Sequence, residues 1–251
     1  MDKMIFTSLN SIQNLYDQRF NISQNMANIS VPGYRRELPN EGGSAFLEQY
    51  QKLGPRAYAL ETGPNQFSFK IGSISPTGNK TDIAIANSSF MLAETENGDV
   101  VFTKRGDLQV SADGILKNGA GDNILSENLT QIQLPFFSDI KISRYGEILL
   151  DTAQTPSGIF SSFGIISSVD PSGFNLLKDT DGKIKHFGEN DIAADQSGAF
   201  VQGSLEMSNV NPVEEMVASI DNQRQFELNM KLIKAAEEAD RSGMSLLKIS
   251  Q

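Results

Sequence analysis

The side chains with the most evident chemical capacity are few and scattered. His186 is the only histidine, and the chain has no cysteine. In the strand-like run Lys185-His186-Phe187 it has neither a second histidine nor a thiolate with which to share a metal. It also has no nucleophile motif to serve, so a structural role is expected. Asp179-Thr180-Asp181-Gly182 opens like a calcium loop, but the twelfth position is Asn190 in place of the bidentate glutamate, and a β-turn is expected. Gly119-Ala120-Gly121 lacks the remainder of a phosphate cradle and reads as a turn. Glu237, Glu238 and Asp240 lie among Lys231, Lys234 and Arg241 at helical spacing, the pattern of a solvated face. No catalytic set, no cofactor and no metal site is expected. Whatever the chain does must come from how its elements pack.

Composition narrows the partners. The 251 residues carry a formal net charge of −10, the wrong sign for nucleic acid or an anionic membrane surface. No run approaches the roughly 18 consecutive apolar residues of a membrane span, so no membrane insertion is expected. The start, MDKMIFTSLNSIQNLYDQRF, lacks the apolar core and small-residue cleavage site of a secretory signal. The absence of tryptophan and the presence of only five tyrosines weigh against a glycan-binding surface.

The elements that must position these residues are arranged unusually. Residues 2–29 and about 212–248 read as amphipathic helices, with short strands and glycine-punctuated turns between them. In the first, Ile5, Leu9, Ile12, Tyr16, Ile22, Met26 and Ile29 recur at three- and four-residue spacings, interrupted by Arg19, until Val31-Pro32-Gly33 stops the helix. The second has an N-cap at Asn211, Pro212 at the first helical position and Glu214 where a capping box places an acid. Its apolar residues form two stripes. Phe226, Met230, Ile233 and Met244 share one side; Leu228, Leu232, Ala235, Ala239 and Leu246 lie nearly opposite. The first helix can cover one stripe, which leaves the other for a further subunit or for the chain's own β region.

Between the helices, residues 33–75 read as an extended connector. From Thr81 onward strands follow closely, with two-residue hairpin turns expected at Asn97-Gly98 and Asp113-Gly114. The expected fold is α+β: paired, coiled-coil-like terminal helices flanking a central all-β domain of short strands. The expected division is 1–32 for the N-terminal helix, 33–75 for the connector, 76–205 for the β domain and 206–251 for the C-terminal helix.

With these elements placed, the ends become recognisable. Asn25-Met26-Ala27-Asn28-Ile29-Ser30-Val31-Pro32-Gly33-Tyr34 resembles the N-terminal signature of bacterial flagellar rod, hook and hook-associated axial proteins, with Met26 and Val31 where the family usually has Leu and Thr. Gly203-Ser204-Leu205-Glu206-Met207-Ser208-Asn209-Val210-Asn211-Pro212-Val213-Glu214-Glu215-Met216 resembles the signature that opens their last helix. Asp82–Phe90 and Phe102-Thr103-Lys104-Arg105-Gly106 are similar to the strand pair shared by rod and hook members. Within the family, Arg224–Lys234 followed by Ala236-Glu237-Glu238 resembles the proximal rod member.

The resemblance implies a structural subunit, not an enzyme. It implies polymerisation through the terminal helices with other rod subunits, and unfolded export through the flagellar export apparatus to the periplasmic rod without a cleaved signal. Its signature positions here are Asn25, Asn28, Pro32, Gly33, Tyr34, Asn209, Asn211 and Met216. Phe226, Leu228, Met230, Leu232 and Ile233 are the expected packing residues. The alternatives are a distal rod or hook-type subunit, or a secreted glycan-binding β module on helical arms.

Overall fold

The structure is a computed structural model that describes residues 2–38, 65–152, 159–179, 181–188 and 191–248. Residues 39–64 of the expected connector lie outside the described residues, as do Thr180, Asn190 and the side chains of Ile5, Asp240 and Leu246. The described residues fall into two compact units: 2–27, 37–38 and 211–248 in one, and 28–36 with those between 65 and 210 in the other.

Among its described residues the first unit holds two helices, α1 (Asp2–Ala27) and α2 (Pro212–Lys248). α1 ends two residues short of Ile29; two turns follow, closed by Val31 N–H to Asn28 O and Tyr34 N–H to Val31 O. At the start of α2 the expected cap forms. Asn211 Oδ1 accepts from Val213 N–H at 3.0 Å, and its Nδ2 donates to Glu214 Oε1 at 3.2 Å. With 37 residues, α2 is roughly 55 Å long.

The helices run antiparallel where they meet, because Asn222 Nδ2 donates to Leu15 O at 2.9 Å and Asn229 Nδ2 to Ser11 Oγ at 3.0 Å. Tyr16 and Phe226 add an edge-on ring contact at 5.8 Å. Here the expected fold class needs correction. A coiled coil requires a continuous apolar seam, yet among the described residues Leu15 and Ala236 are the only fully buried apolar side chains on the two helices; Ser8, Asn21, Asn25, Glu215 and Asn222 are buried beside them. Among the described residues there is one α-helix towards each end and a sheet-rich region between, and the helices meet through a largely polar contact. The helices are not a coiled-coil-like pair flanking the β domain.

The second unit is built around the strand Phe90–Glu94. Its alternation sends Met91 and Ala93 into one apolar core, with Ile83, Ile85, Ile124, Ile148 and Leu150, and Phe90 and Leu92 into another, with Phe67, Phe102, Leu125 and Val169. A strand buried on both faces reads as an unbroken apolar run, which is what FMLA is. Val100–Thr103 pairs along one edge of it; Asn123–Ile124 and Ser168–Val169 pair along the other, all antiparallel. Asp139–Ile142, Glu147–Asp151 and Ser161–Ile165 form a separate three-stranded sheet. The chain's last strands close on its first: Ser204–Glu206 pairs with Ile74–Pro76, and Phe200–Gln202 with Ile83–Ile85.

The hairpins form at both expected places, but with three-residue loops. In Thr95–Asp99 the Gly98 N–H donates to Thr95 O and the Thr95 N–H to Asp99 O; Ser111–Ile115 repeats this with Gly114. Asn97 and Asp113 keep negative φ, so each loop is a type I turn ending in a left-handed glycine. The same turn recurs at Gly121, Gly146 and Gly182, and once with Leu129 at φ 58° in the glycine position.

This repetition separates backbone strain from packing. A Cβ at Gly98 meets open space, whereas one at Gly146 lies 2.8 Å from Phe200 Cε2 and 3.1 Å from Ile166 O. Gly98→Ala is expected to cost about 1–2 kcal/mol from the left-handed backbone alone. Gly146→Ala should cost about 1–3 kcal/mol more through overpacking. Urea unfolding of the two variants checks this, and equal costs would contradict it.

Candidate functional site

On the helical unit the first stripe of α2 is covered only in part, and its Met244 is exposed. Phe226 and Ile233 are half-buried on the side that meets α1, with Met230 at its margin. Leu228 and Leu232 face away and are 58% and 46% exposed. The exposed stripe begins earlier than Leu228. Val213, Met216, Val217 and Ile220 stand at i, i+3, i+4 and i+7, each more than half exposed. Of these four, the sequence reading singled out Met216 alone. At the root of the unit Asn25 is buried and holds Glu37 by both backbone groups, at 2.8 Å from its N–H and 3.0 Å to its O; its Nδ2 also lies 3.4 Å from Glu215 Oε1.

In the β unit the two signature segments are brought together. Gly33 N–H donates to Glu206 O at 2.7 Å, and Asn209 N–H to Tyr34 O at 3.3 Å. Asn209 Oδ1 accepts from Arg36 N–H at 2.6 Å while its Nδ2 donates to Ser68 O and Lys70 O. One amide side chain thus fastens three segments. Lys178 Nζ lies 3.7 Å from the centroid of the Tyr34 ring. Asn28 and Pro32 are half-buried in the turns before Gly33. Gly33 has φ 70°, and a Cβ there would lie 2.3 Å from Lys104 C and 2.5 Å from Arg105 N. Only glycine permits that approach.

Beneath this contact lies a buried charge cluster. Glu206 Oε1 is 2.9 Å from Arg35 Nη2 and accepts from Gly72 N–H at 2.8 Å; Oε2 faces Lys104 Nζ at 3.4 Å. Arg35 Nη1 donates to Lys70 O, and Lys104 Nζ to the carbonyls of Ile85 and Asn87. All three charged side chains are at most 2% exposed. Two cations therefore share one carboxylate, and Arg35 Nε has no acceptor among the described residues. The Phe90 ring offers its face to both, with Arg35 Cζ 5.6 Å and Lys104 Nζ 5.5 Å from its centroid. Burial pulls the Lys104 ammonium down to about 8; Glu206 opposes the shift and Arg35 adds to it. Burial likewise lowers Arg35, again against Glu206.

The sequence reading missed Arg35, Lys104 and Glu206 as site residues. Their signal is faint: Ser204-Leu205-Glu206 buries its two polar residues and leaves Leu205 half-buried, an inverted alternation.

The residues with nominal chemical capacity are engaged elsewhere. His186 packs edge-on against Phe174 at 5.1 Å, with Nδ1 3.3 Å from Asn175 O. The carboxylates of Asp179, Asp99 and Asp181 surround Lys185 Nζ at 2.8, 3.1 and 3.3 Å. They hold its ammonium above the ordinary lysine range, Asp179 most strongly. Asp179 and Asp181, which open like a calcium loop, thus pair with a lysine. Among the described residues no group of three or more His, Cys, Asp or Glu is placed to hold a metal, and no helix is long and apolar enough to cross a membrane.

Two outcomes follow for the cluster. Gly33→Ala combines left-handed strain with a backbone clash and should cost at least about 3 kcal/mol in urea unfolding. For Lys104, the unfolded chain keeps its proton up to the ordinary 10.5 whereas the folded chain releases it near 8. The unfolded state binds more protons in that window, so stability rises with pH there. The difference in unfolding free energy between wild type and Lys104→Met should therefore shift in favour of wild type from pH 8 to 10.5. A pH-independent difference would contradict the assignment.

Residues 201–246, which run from the Phe200–Gln202 strand through most of α2, match the family described as flagellar basal body rod FlgEFG protein C-terminal. Over its whole length the chain is 28% identical to the flagellar basal-body rod protein FlgF of Salmonella typhimurium, covering all of both chains. It is 28% identical to that of Buchnera aphidicola subsp. Schizaphis graminum over 95% of each chain. It is 29% identical to the rod protein FlgG of Buchnera aphidicola subsp. Acyrthosiphon pisum over 86% of this chain and 89% of that one. Along its whole length, then, the chain is similar to flagellar basal-body rod proteins, and its last part matches their C-terminal family.

Proposed function

We propose that this chain is a structural subunit of the proximal part of the flagellar rod. It would assemble with copies of itself and with neighbouring rod subunits through α1 and α2, and would do no chemistry. The observation that carries this reading is the exposed stripe Val213, Met216, Val217 and Ile220 on a helix whose opposite face already meets α1. An apolar stripe left open on a well-capped helix marks an interaction surface. Signature residue Asn211 then fixes the start of α2 and Asn25 ties the last turn of α1 to Glu37, while Phe226, Met230 and Ile233 against Leu228 and Leu232 divide α2 between its own chain and the next.

The proximal assignment rests on Arg224–Lys234; a position nearer the hook is the alternative. Export through the flagellar apparatus into the periplasmic space, without a cleaved signal, belongs to the same reading. So does a division at residues 32, 75 and 205 into N-terminal helix, connector, β domain and C-terminal helix. A net charge of −10 keeps subunits apart before they meet a growing end.

Ile220→Asp and Val217→Asp test the stripe directly. Both positions are more than half exposed, so the thermal midpoint of the purified monomer should move by no more than a few degrees. Cells carrying either variant should lack external filaments and be non-motile. Normal motility of both variants, or of a clean gene deletion, would overturn the reading.

A further inference from the structure

The buried cluster has an order in the sequence that bears on how the β unit closes. Its cations come first, at Arg35 and Lys104, and the carboxylate that pairs with both comes last, at Glu206. Among the described residues no other carboxylate lies within ion-pair distance of either cation. The segment that brings Glu206 also carries the strands that complete the start of the unit. Ser204–Glu206 pairs with Ile74–Pro76, Phe200–Gln202 with Ile83–Ile85, and Gly203 N–H donates to Asp82 O at 2.7 Å. Until that segment docks, closing the core would bury two cations with no anion, which is far more costly than leaving them in water.

We propose that Glu206 is a folding latch: docking of its segment permits burial of Arg35 and Lys104 and so licenses closure of the whole β unit, making that closure dependent on the last part of its sequence. The cluster lies on the chain leading out of α1 and into α2. Arg35 follows the last residue of α1 by eight positions, and Glu206 precedes the first of α2 by six. A unit closed by this latch holds Gly33 and Arg35 of its first segment and Glu206 of its last at one point. The inference concerns the β unit alone and does not depend on where in the rod the subunit sits.

The test uses the full chain with Glu206→Gln, Lys104→Met and the two together, read by amide hydrogen exchange at two distances from the latch. Gly33 and Gly72 donate directly to Glu206, whereas the Leu125 amide donates to Leu92 O in the central sheet. Glu206→Gln is expected to lower protection about a hundredfold or more at all three amides, as removal of one partner from a buried ion cluster does. Lys104→Met alone keeps the Arg35–Glu206 pair and should change protection at Leu125 by less than about tenfold. The double variant has the same formal cluster charge as wild type, one positive, and should recover at least about tenfold of the loss at Leu125.

Loss of protection confined to Gly33 and Gly72, with Leu125 unaffected, would overturn the latch and leave Glu206 a local fastening. If Glu206→Gln does not fold at all, the double variant decides. Recovery upholds the latch. No recovery means that the carboxylate's shape and hydrogen bonds matter, and its charge does not.

Discussion

The carboxylate of Glu206, shared by two buried cations, is the interaction on which the rest of the β unit depends. A buried ion cluster is a poor source of net stability, because desolvation consumes most of the Coulomb gain. Its effect is on geometry. Arg35, Lys104 and Glu206 come from segments separated by up to 171 residues, and all three must be in register for their charges to be buried. Glycine at position 33 follows from the same demand, since a Cβ there would lie 2.3 Å from Lys104 C. Phe90 serves twice, as a core residue of the central strand and as the aromatic face toward both cations.

The helical unit follows a different logic. Its contact is polar where a stable intramolecular pair would be apolar: Asn222 and Asn229 reach across to α1, and Leu15 is the one buried apolar residue that α1 contributes among those described. Buried asparagines fix register at a cost in stability. Other apolar side chains that could strengthen the pair are exposed instead, at Val213, Met216, Val217 and Ile220 on α2 and at Leu9 and Phe20 on α1. A helix pair weak within the subunit and adhesive outside it suits a part that acquires its strength from neighbours, as open-ended heterologous contacts require.

Much of this was legible in the sequence because periodicity reports local structure directly. Both helices, the Asn211 cap, the two stripes of α2 and the hairpins at Gly98 and Gly114 each follow from residues close together in the chain. The coiled-coil expectation failed because apolar spacing along α2 does not report how much of the contact is polar; Asn222 and Asn229, to which the sequence analysis gave no role, reach across to α1. The charge cluster was hidden for a related reason. Lys104 and Glu206 look like surface residues in any local window, and Leu205 between buried Ser204 and Glu206 inverts the usual strand pattern. Only the pairing of strands distant in sequence makes those positions interior. Asn25, Gly33 and Asn209 were identified through the family signature, and the bonds each makes supply the physical reason for it.

The central claim is that the open face of α2 is covered by another rod subunit. It is tested most directly by placing a photo-cross-linking residue at position 220 and isolating hook–basal bodies after irradiation. The account predicts a cross-link from position 220 to a terminal helix of another rod subunit, in particles that contain the chain. Cross-links confined to its own chain, or absence of the chain from intact basal bodies, would contradict it.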